Sequence, residues 1–129
     1  MEITVQELRN LNQNSYQIID MRDETEISHG SIPNAVHMSA EEREKVIENQ
    51  TEGVFSREKK LVICCARGRV SVDVAEALCE SGYDAVSLQG GYIAWLLDTM
   101  KQQEADDICA DVEQSIRKKF HKPIWSKFT

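Results

Sequence analysis

Four short apolar runs, rich in β-branched residues, dominate the pattern of this chain: "YQIID" (16–20), "AVHM" (35–38), "LVICC" (61–65) and "AVSLQ" (85–89). A weaker run, "EITV", covers 2–5. Runs that are apolar throughout, rather than alternating, suit strands buried on both faces. Helical patterns lie between them. "VQELRNL" follows Thr4 as a cap, "AEEREKVIEN" follows Ser39, and "VDVAEALCES" follows Ser71 and stops at Gly82. Strands that alternate with helices predict an α/β domain, with a mostly parallel sheet, helices on both faces and right-handed crossovers. Ligands of such sheets bind outside the carboxyl ends of the strands. The stretch "CCARGRVS" (64–71) falls at one of those ends.

The 129 residues, 41% of them apolar, suffice for one domain with its own core and are too few for two. No apolar run reaches the ~18–20 residues that cross a bilayer, and "MEITVQELRN" lacks the layout of a signal peptide. A cytoplasmic protein without membrane contact is expected. Its cysteines, Cys64, Cys65, Cys79 and Cys109, contain no Cys-x-x-Cys pair, and a reducing compartment keeps them as thiols. Cys79 and Cys109 read as helix-face core residues. His29, His37 and His121 lack metal-ligand spacing, so no metal is expected.

Charge is unevenly spread. Residues 1–115 carry a net −12, whereas 116–129 hold five basic residues and no acid. The acidic body is not expected to bind nucleic acid directly; the basic tail either does so or docks on the body. From Lys101 to Phe120 the apolar positions Ala105, Ile108, Val112, Ile116 and Phe120 recur at helical spacing, which predicts one long helix with a narrow apolar stripe.

A cysteine at a strand end, followed by a tight loop and a helix start, sits where backbone N–H groups converge and the helix dipole adds positive charge. Arg67 and Arg69 add full charges, and Gly68 lets the loop turn. Such surroundings lower a thiol pKa from about 8.5 and favour the nucleophilic thiolate. The competing reading is two small, soft residues filling a strand end. The glycine, the arginines and the helix start favour the nucleophile.

"VICCARGRVSVDVAEAL" resembles the active-site loop and helix of rhodanese domains, with the pattern Cys-x-x-Gly-x-x-Ser/Ala. Cys65, Gly68, Ser71, Ala75 and Leu78 fall on it when Cys65 is placed first; placing Cys64 first loses the glycine. "IIDMRDETEISHGSIPNAVHM" is similar to the family's Asp-x-Arg segment through Asp20, Arg22, Glu26, Gly30, Ile32, Pro33 and Ala35. "LQGGYIAW" matches a third motif through Leu88, Gly90, Gly91, Ala94 and Trp95, and Gly90–Gly91 reads as a strand-to-helix turn. The resemblance spans roughly residues 1–98 and leaves 99–129 as a helical extension with a basic tail.

The resemblance implies a rhodanese-like fold with a five-stranded sheet, and sulfur transfer without metal or organic cofactor. Cys65 is then the nucleophile that becomes a persulfide, cradled by residues Ala66, Arg67, Gly68, Arg69 and Val70. The sulfur donor is thiosulfate or the persulfide of a cysteine desulfurase. Asp20 and Arg22, with Glu26, tie a strand end to the next helix, and Asp20 and Arg22 are also candidates for a supporting role at the site. Cys64 is disfavoured as a second thiol because strand alternation points the two side chains apart. Three positions depart from the family pattern: Val70 stands where an arginine often precedes the serine, with Arg69 one place earlier, and Ser31 and Asn34 replace His and Gly. Loss of that arginine disfavours an anionic donor unless Arg67 or Arg69 substitutes. The related phosphatase loop, Cys-x₅-Arg, is not matched from either cysteine.

The tail is different. Around Lys122–Phe128 it resembles the opening segment of tRNA-thiolating PP-loop ATPases of the 2-thiocytidine type, without their ATP-binding loop. The resemblance implies a PP-loop ATPase as sulfur acceptor, in the same longer chain. A catalytically silent docking module is the alternative function.

Overall fold

The computed structural model describes residues 1–48 and 55–119, and the side chains of 1–48 and 55–107. Five strands, β1 (Glu2–Ile3), β2 (Tyr16–Asp20), β3 (Val36–His37), β4 (Lys60–Cys64) and β5 (Ala85–Leu88), form one sheet in the order β1-β5-β4-β2-β3. Every pairing is parallel. Helices α1 (Val5–Arg9), α2 (Glu24–Ser28), α3 (Ala40–Ile47), α4 (Val70–Glu80) and α5 (Gly91–Lys119) supply the connections. The fold is the α/β architecture that the alternating runs predict.

β4 lies at the centre of the order and shows how the layers are built. Leu61, Ile63 and Cys65 pack with Val74, Ala75 and Leu78 of α4 and Val46 of α3. Val62 and Cys64 pack on the other face with Val5 and Leu8 of α1, and with Tyr92, Ala94 and Trp95 of α5. Successive strand residues point to opposite faces, so both must be apolar. Leu61, Val62, Ile63 and Cys64 are fully buried. The two cysteines therefore belong to different layers.

Several boundaries differ from the sequence expectation. β1 ends at Ile3 because Thr4 caps α1: its hydroxyl accepts from the Glu7 amide at 3.1 Å, and the Glu7 carboxylate accepts from the Thr4 amide at 3.3 Å. Ser39 caps α3 as expected, accepting from the Glu42 amide at 3.2 Å. Ser71 is not the cap of α4. That helix starts at Val70 after Arg69, which makes no side-chain cap bond, and the Ser71 hydroxyl is turned inward. The short helix α2 is carried by Asp23, whose carboxylate accepts from the Glu26 amide at 2.8 Å. The long helix begins at Gly91 rather than Lys101, because Tyr92, Ala94 and Trp95 pack on the core before it continues to Lys119.

The chain divides into two compact units, Met1–Leu96 and Leu97–Thr129. The second contains the remainder of α5. Cys109, the stripe from Ile108 to Phe120, His121 and the segment around Lys122–Phe128 lie outside the residues whose side chains are described. No helix among the described residues is long and apolar enough to cross a membrane.

Candidate active site

β4 ends at Cys64, and the next five residues turn the chain from the sheet into α4. Cys65 sits at the start of that turn with its side chain in the α4 layer, 8% exposed. Its Sγ accepts a hydrogen bond from the Gly68 amide at 3.1 Å and lies 3.2 Å from the Ser71 hydroxyl. Burial pushes the Cys65 thiol up. Hydrogen bonds from the Ser71 hydroxyl and amide, then from the Gly68 and Arg67 amides, outweigh burial and leave its pKa below the ordinary value.

Two glycines give the loop its shape. Gly68 has φ +80 and Gly91 has φ +63, a left-handed region that side chains avoid. The two turns pack backbone to backbone: a Cβ on Gly68 would lie 2.8 Å from the Gly90 nitrogen, and one on Gly91 would lie 2.7 Å from the Gly68 nitrogen. The first amides of α5 then take the loop carbonyls, with Tyr92 donating to the Cys65 oxygen at 2.8 Å and Ile93 to the Ala66 oxygen at 3.1 Å. With its carbonyls held outward, the loop directs its N–H groups toward the sulfur. The glycine pair near residue 90 and the cysteine loop are thus parts of one structure.

Cys65, Ala66 and Val70 wall a cleft of about 470 Å³, whose other lining includes Arg22, Glu24, Glu26, His37 and Arg43. His37 Nε2 donates to the Arg22 carbonyl at 2.8 Å. Val70 is 49% exposed. Arg67 and Arg69 are exposed and do not line the cleft. The sequence reading gave their full charges a part in lowering the thiol pKa; the structure has the bonds of Ser71, Gly68 and the Arg67 backbone there instead. A loop that turns its amides inward turns its side chains out.

Asp20 lies beside Cys64 in the sheet register. Its buried carboxylate holds Arg22, with Nη2 at 2.8 Å and Nε at 3.1 Å. The same guanidinium donates to the Gly30 carbonyl at 2.7 Å and stacks 3.8 Å above the Tyr92 ring. Arg22 therefore joins the end of β2, the loop at Gly30 and the start of α5, while also forming part of the cleft wall. Glu26 reaches the same cleft. Cys64 faces the opposite layer, where burial and the Asp20 charge push its thiol up to about 12. Cys79 is half-buried, its Sγ donating to the Ala85 carbonyl at 3.1 Å.

Two contributions are not legible in the sequence: the contact of the Ser71 hydroxyl with the sulfur, although Ser71 falls on the loop pattern, and the part of Ser87. Ser71 was expected to cap a helix and instead contacts the sulfur. Ser87, on β5, lies 2.6 Å from the Ser71 hydroxyl, and both serines are fully buried. A polar residue inside the apolar run "AVSLQ" was the available signal.

Comparison with known proteins agrees with this geometry. The rhodanese-like domain family model matches residues 4–98. The thiosulfate sulfurtransferase GlpE of Shewanella oneidensis is 37% identical over 82 residues, 63% of this chain and 76% of the relative. A rhodanese-like domain protein from Staphylococcus aureus superposes with TM-score 0.61 at 35% identity, covering 73% of this chain and 89% of that one. A rhodanese-related protein from Thermoplasma volcanium gives TM-score 0.62 at 27% identity, covering 75% and 91%. Fold, loop and relatives converge: the chain belongs to the rhodanese-like domain family.

Proposed function

We propose that the protein is a cytoplasmic sulfurtransferase and persulfide carrier that works through Cys65. The thiolate attacks the sulfane sulfur of a donor. A bond forms between Sγ and that sulfur, the donor's own bond to it breaks, and the electron pair leaves with the donor, as sulfite from thiosulfate or as a thiolate from a protein persulfide. Residues Ala66 to Val70 surround the resulting persulfide, with loop amides stabilising its negative charge. An acceptor thiolate then attacks the terminal sulfur, and the pair returns to Cys65 Sγ.

The observation that carries this reading is one sulfur with two properties. It is held by the Gly68 amide at 3.1 Å and the Ser71 hydroxyl at 3.2 Å, and it walls an open cleft. Asp20 and Arg22 support the site by fixing the cleft wall. The apolar Val70 at the cleft favours a protein persulfide, such as that of a cysteine desulfurase, over the thiosulfate dianion. For the acceptor, the segment around Lys122–Phe128 supports a tRNA-thiolating PP-loop ATPase in the same longer chain.

The test follows sulfide released to dithiothreitol by the protein after it has been incubated with each donor and then separated from it. Cys65→Ser abolishes release and Cys64→Ser retains it. Equal release from wild type and Cys65→Ser would reject the reading, and no release from either donor would leave a docking module.

A further inference from the structure

The chain of side chains behind Cys65 has a direction, and the direction depends on whether the sulfur is charged. Ser71 Oγ lies 3.2 Å from Cys65 Sγ and 2.6 Å from Ser87 Oγ, with both serines fully buried. Each hydroxyl has one hydrogen to place. With a thiolate, Ser87 donates to Ser71 and Ser71 donates to the sulfur, so both hydrogens find acceptors. With a thiol that donates to Ser71, the Ser71 hydrogen turns to Ser87. The Ser87 hydrogen then has no side-chain acceptor among the described residues. A buried donor left without an acceptor is costly, whereas hydrogen bonds to a charged group are the strong ones. In the charged state both hydroxyl hydrogens have acceptors and the sulfur receives a charge-assisted bond, the stronger kind, whereas a thiol is only a weak acceptor and a weak donor.

We propose that Ser87 is a positioning residue that aims the Ser71 hydroxyl at Cys65 and so holds the sulfur as a thiolate, both for attack on a donor and for departure when the acceptor takes the sulfur. The inference rests on Cys65 being the nucleophile. Ser87 touches neither the sulfur nor the cleft and acts through Ser71 alone. The charged and titratable groups at the cleft, Arg22, Asp23, Glu24, Glu26, His37 and Arg43, are common to the variants compared below.

The experiment titrates the thiolate by its ultraviolet absorbance, taking the difference from the matching Cys65→Ser protein. Wild type, Ser87→Ala, Ser71→Ala and the double variant form a cycle. Ser87→Ala raises the midpoint by about one unit, the order expected for weakening one hydrogen bond to a charged group. In the Ser71→Ala background Ser87→Ala has no further effect. Ser87→Thr keeps the midpoint and Ser87→Val raises it, a shape-matched pair that gives the same contrast if the alanine variant does not fold.

The kinetic signature is specific. With a Brønsted slope of about 0.4–0.5, a one-unit rise makes the donor step about threefold slower well below the midpoint and about threefold faster well above it. The acceptor step slows because Cys65 becomes a poorer leaving group. An unchanged midpoint in Ser87→Ala overturns the proposal, as does an equal shift in the Ser71→Ala background. The titration needs no sulfur donor, so it stands or falls separately from sulfur transfer. A normal Ser87 effect in a protein that never takes up sulfur would reject only the proposed function.

Discussion

The Tyr92 amide donates to the Cys65 carbonyl at 2.8 Å, so the first turn of α5 holds the residue proposed as the nucleophile. A helix N-terminus has amides without intrahelical partners, and a loop has carbonyls to satisfy. Joining them fixes the loop while its own amides stay free for the sulfur. The cost is a backbone packed too closely for any side chain at Gly91.

Gly91→Ala tests that packing. The residue sits at φ +63, and its Cβ would meet the Gly68 nitrogen at 2.7 Å and the Ala66 carbonyl carbon at 2.8 Å. Left-handed strain and displacement of the loop together cost about 2–4 kcal/mol. Urea unfolding reads this as a lower midpoint. The folded fraction also titrates Cys65 at higher pH, because the Gly68 amide has moved. A variant as stable as wild type contradicts the close approach.

Asp20→Asn breaks the buried pair that ties β2 to the Gly30 loop and Tyr92. The Asp20–Arg22 contact of 2.8 Å has side chains only 2% and 4% exposed. Leaving the Arg22 charge without its partner costs about 3–5 kcal/mol. Thermal unfolding of Asp20→Asn beside Arg22→Met checks it: removing the charge along with its partner, in the double variant, recovers part of the loss.

Reactivity toward an alkylating agent separates the two adjacent thiols. Cys65 ionises below its ordinary value, while Cys64 is pushed up to about 12. Near neutral pH, alkylation therefore goes to Cys65, and Cys64→Ser changes its rate little. The sign for stability follows from the same shift. Folded Cys65 loses its proton at lower pH than the unfolded chain, so its stabilising contribution relative to Cys65→Ser is absent below the folded pKa. The contribution grows as pH rises through that value and is complete above the unfolded one. Peptide mapping and urea melts across pH read the two outcomes. Preferential labelling of Cys64 contradicts the assignment.

Val70→Arg restores the cation that the family pattern often has before the serine. Val70 is 49% exposed, so stability shifts by less than about 0.5 kcal/mol. A charge-assisted contact to thiosulfate raises kcat/KM for that donor about tenfold or more, with a protein persulfide donor little affected. An equal effect on both donors shows that Val70 does not select between them.

The fold was legible because it rests on properties that sequence displays directly: continuous apolar strands, and caps at Thr4 and Ser39. The cysteine loop was legible for a similar reason, since Cys65, Gly68 and Ser71 are close in the chain. Ser87 was not, because its value lies in a hydroxyl brought beside Ser71 by the β5–β4 pairing and the packing of α4. The closeness of Gly91 to Gly68 is also a long-range fact; the glycine pair read only as a turn. The outward placement of Arg67 and Arg69 is set by the direction of the loop amides, which composition does not reveal. Ser71 was misread as a cap because serine before an apolar run carries that signal in general, and here its hydroxyl is spent on the sulfur.

The most direct measurement is the intact mass of the protein after incubation with thiosulfate, and separately with a cysteine desulfurase and cysteine. Sulfur transfer through Cys65 requires a gain of one sulfur atom, removed by dithiothreitol, present in Cys64→Ser and absent in Cys65→Ser, with the desulfurase the better donor. The same gain in Cys65→Ser, or none in a wild-type protein whose Cys65 is shown to be reduced and alkylatable, would contradict it.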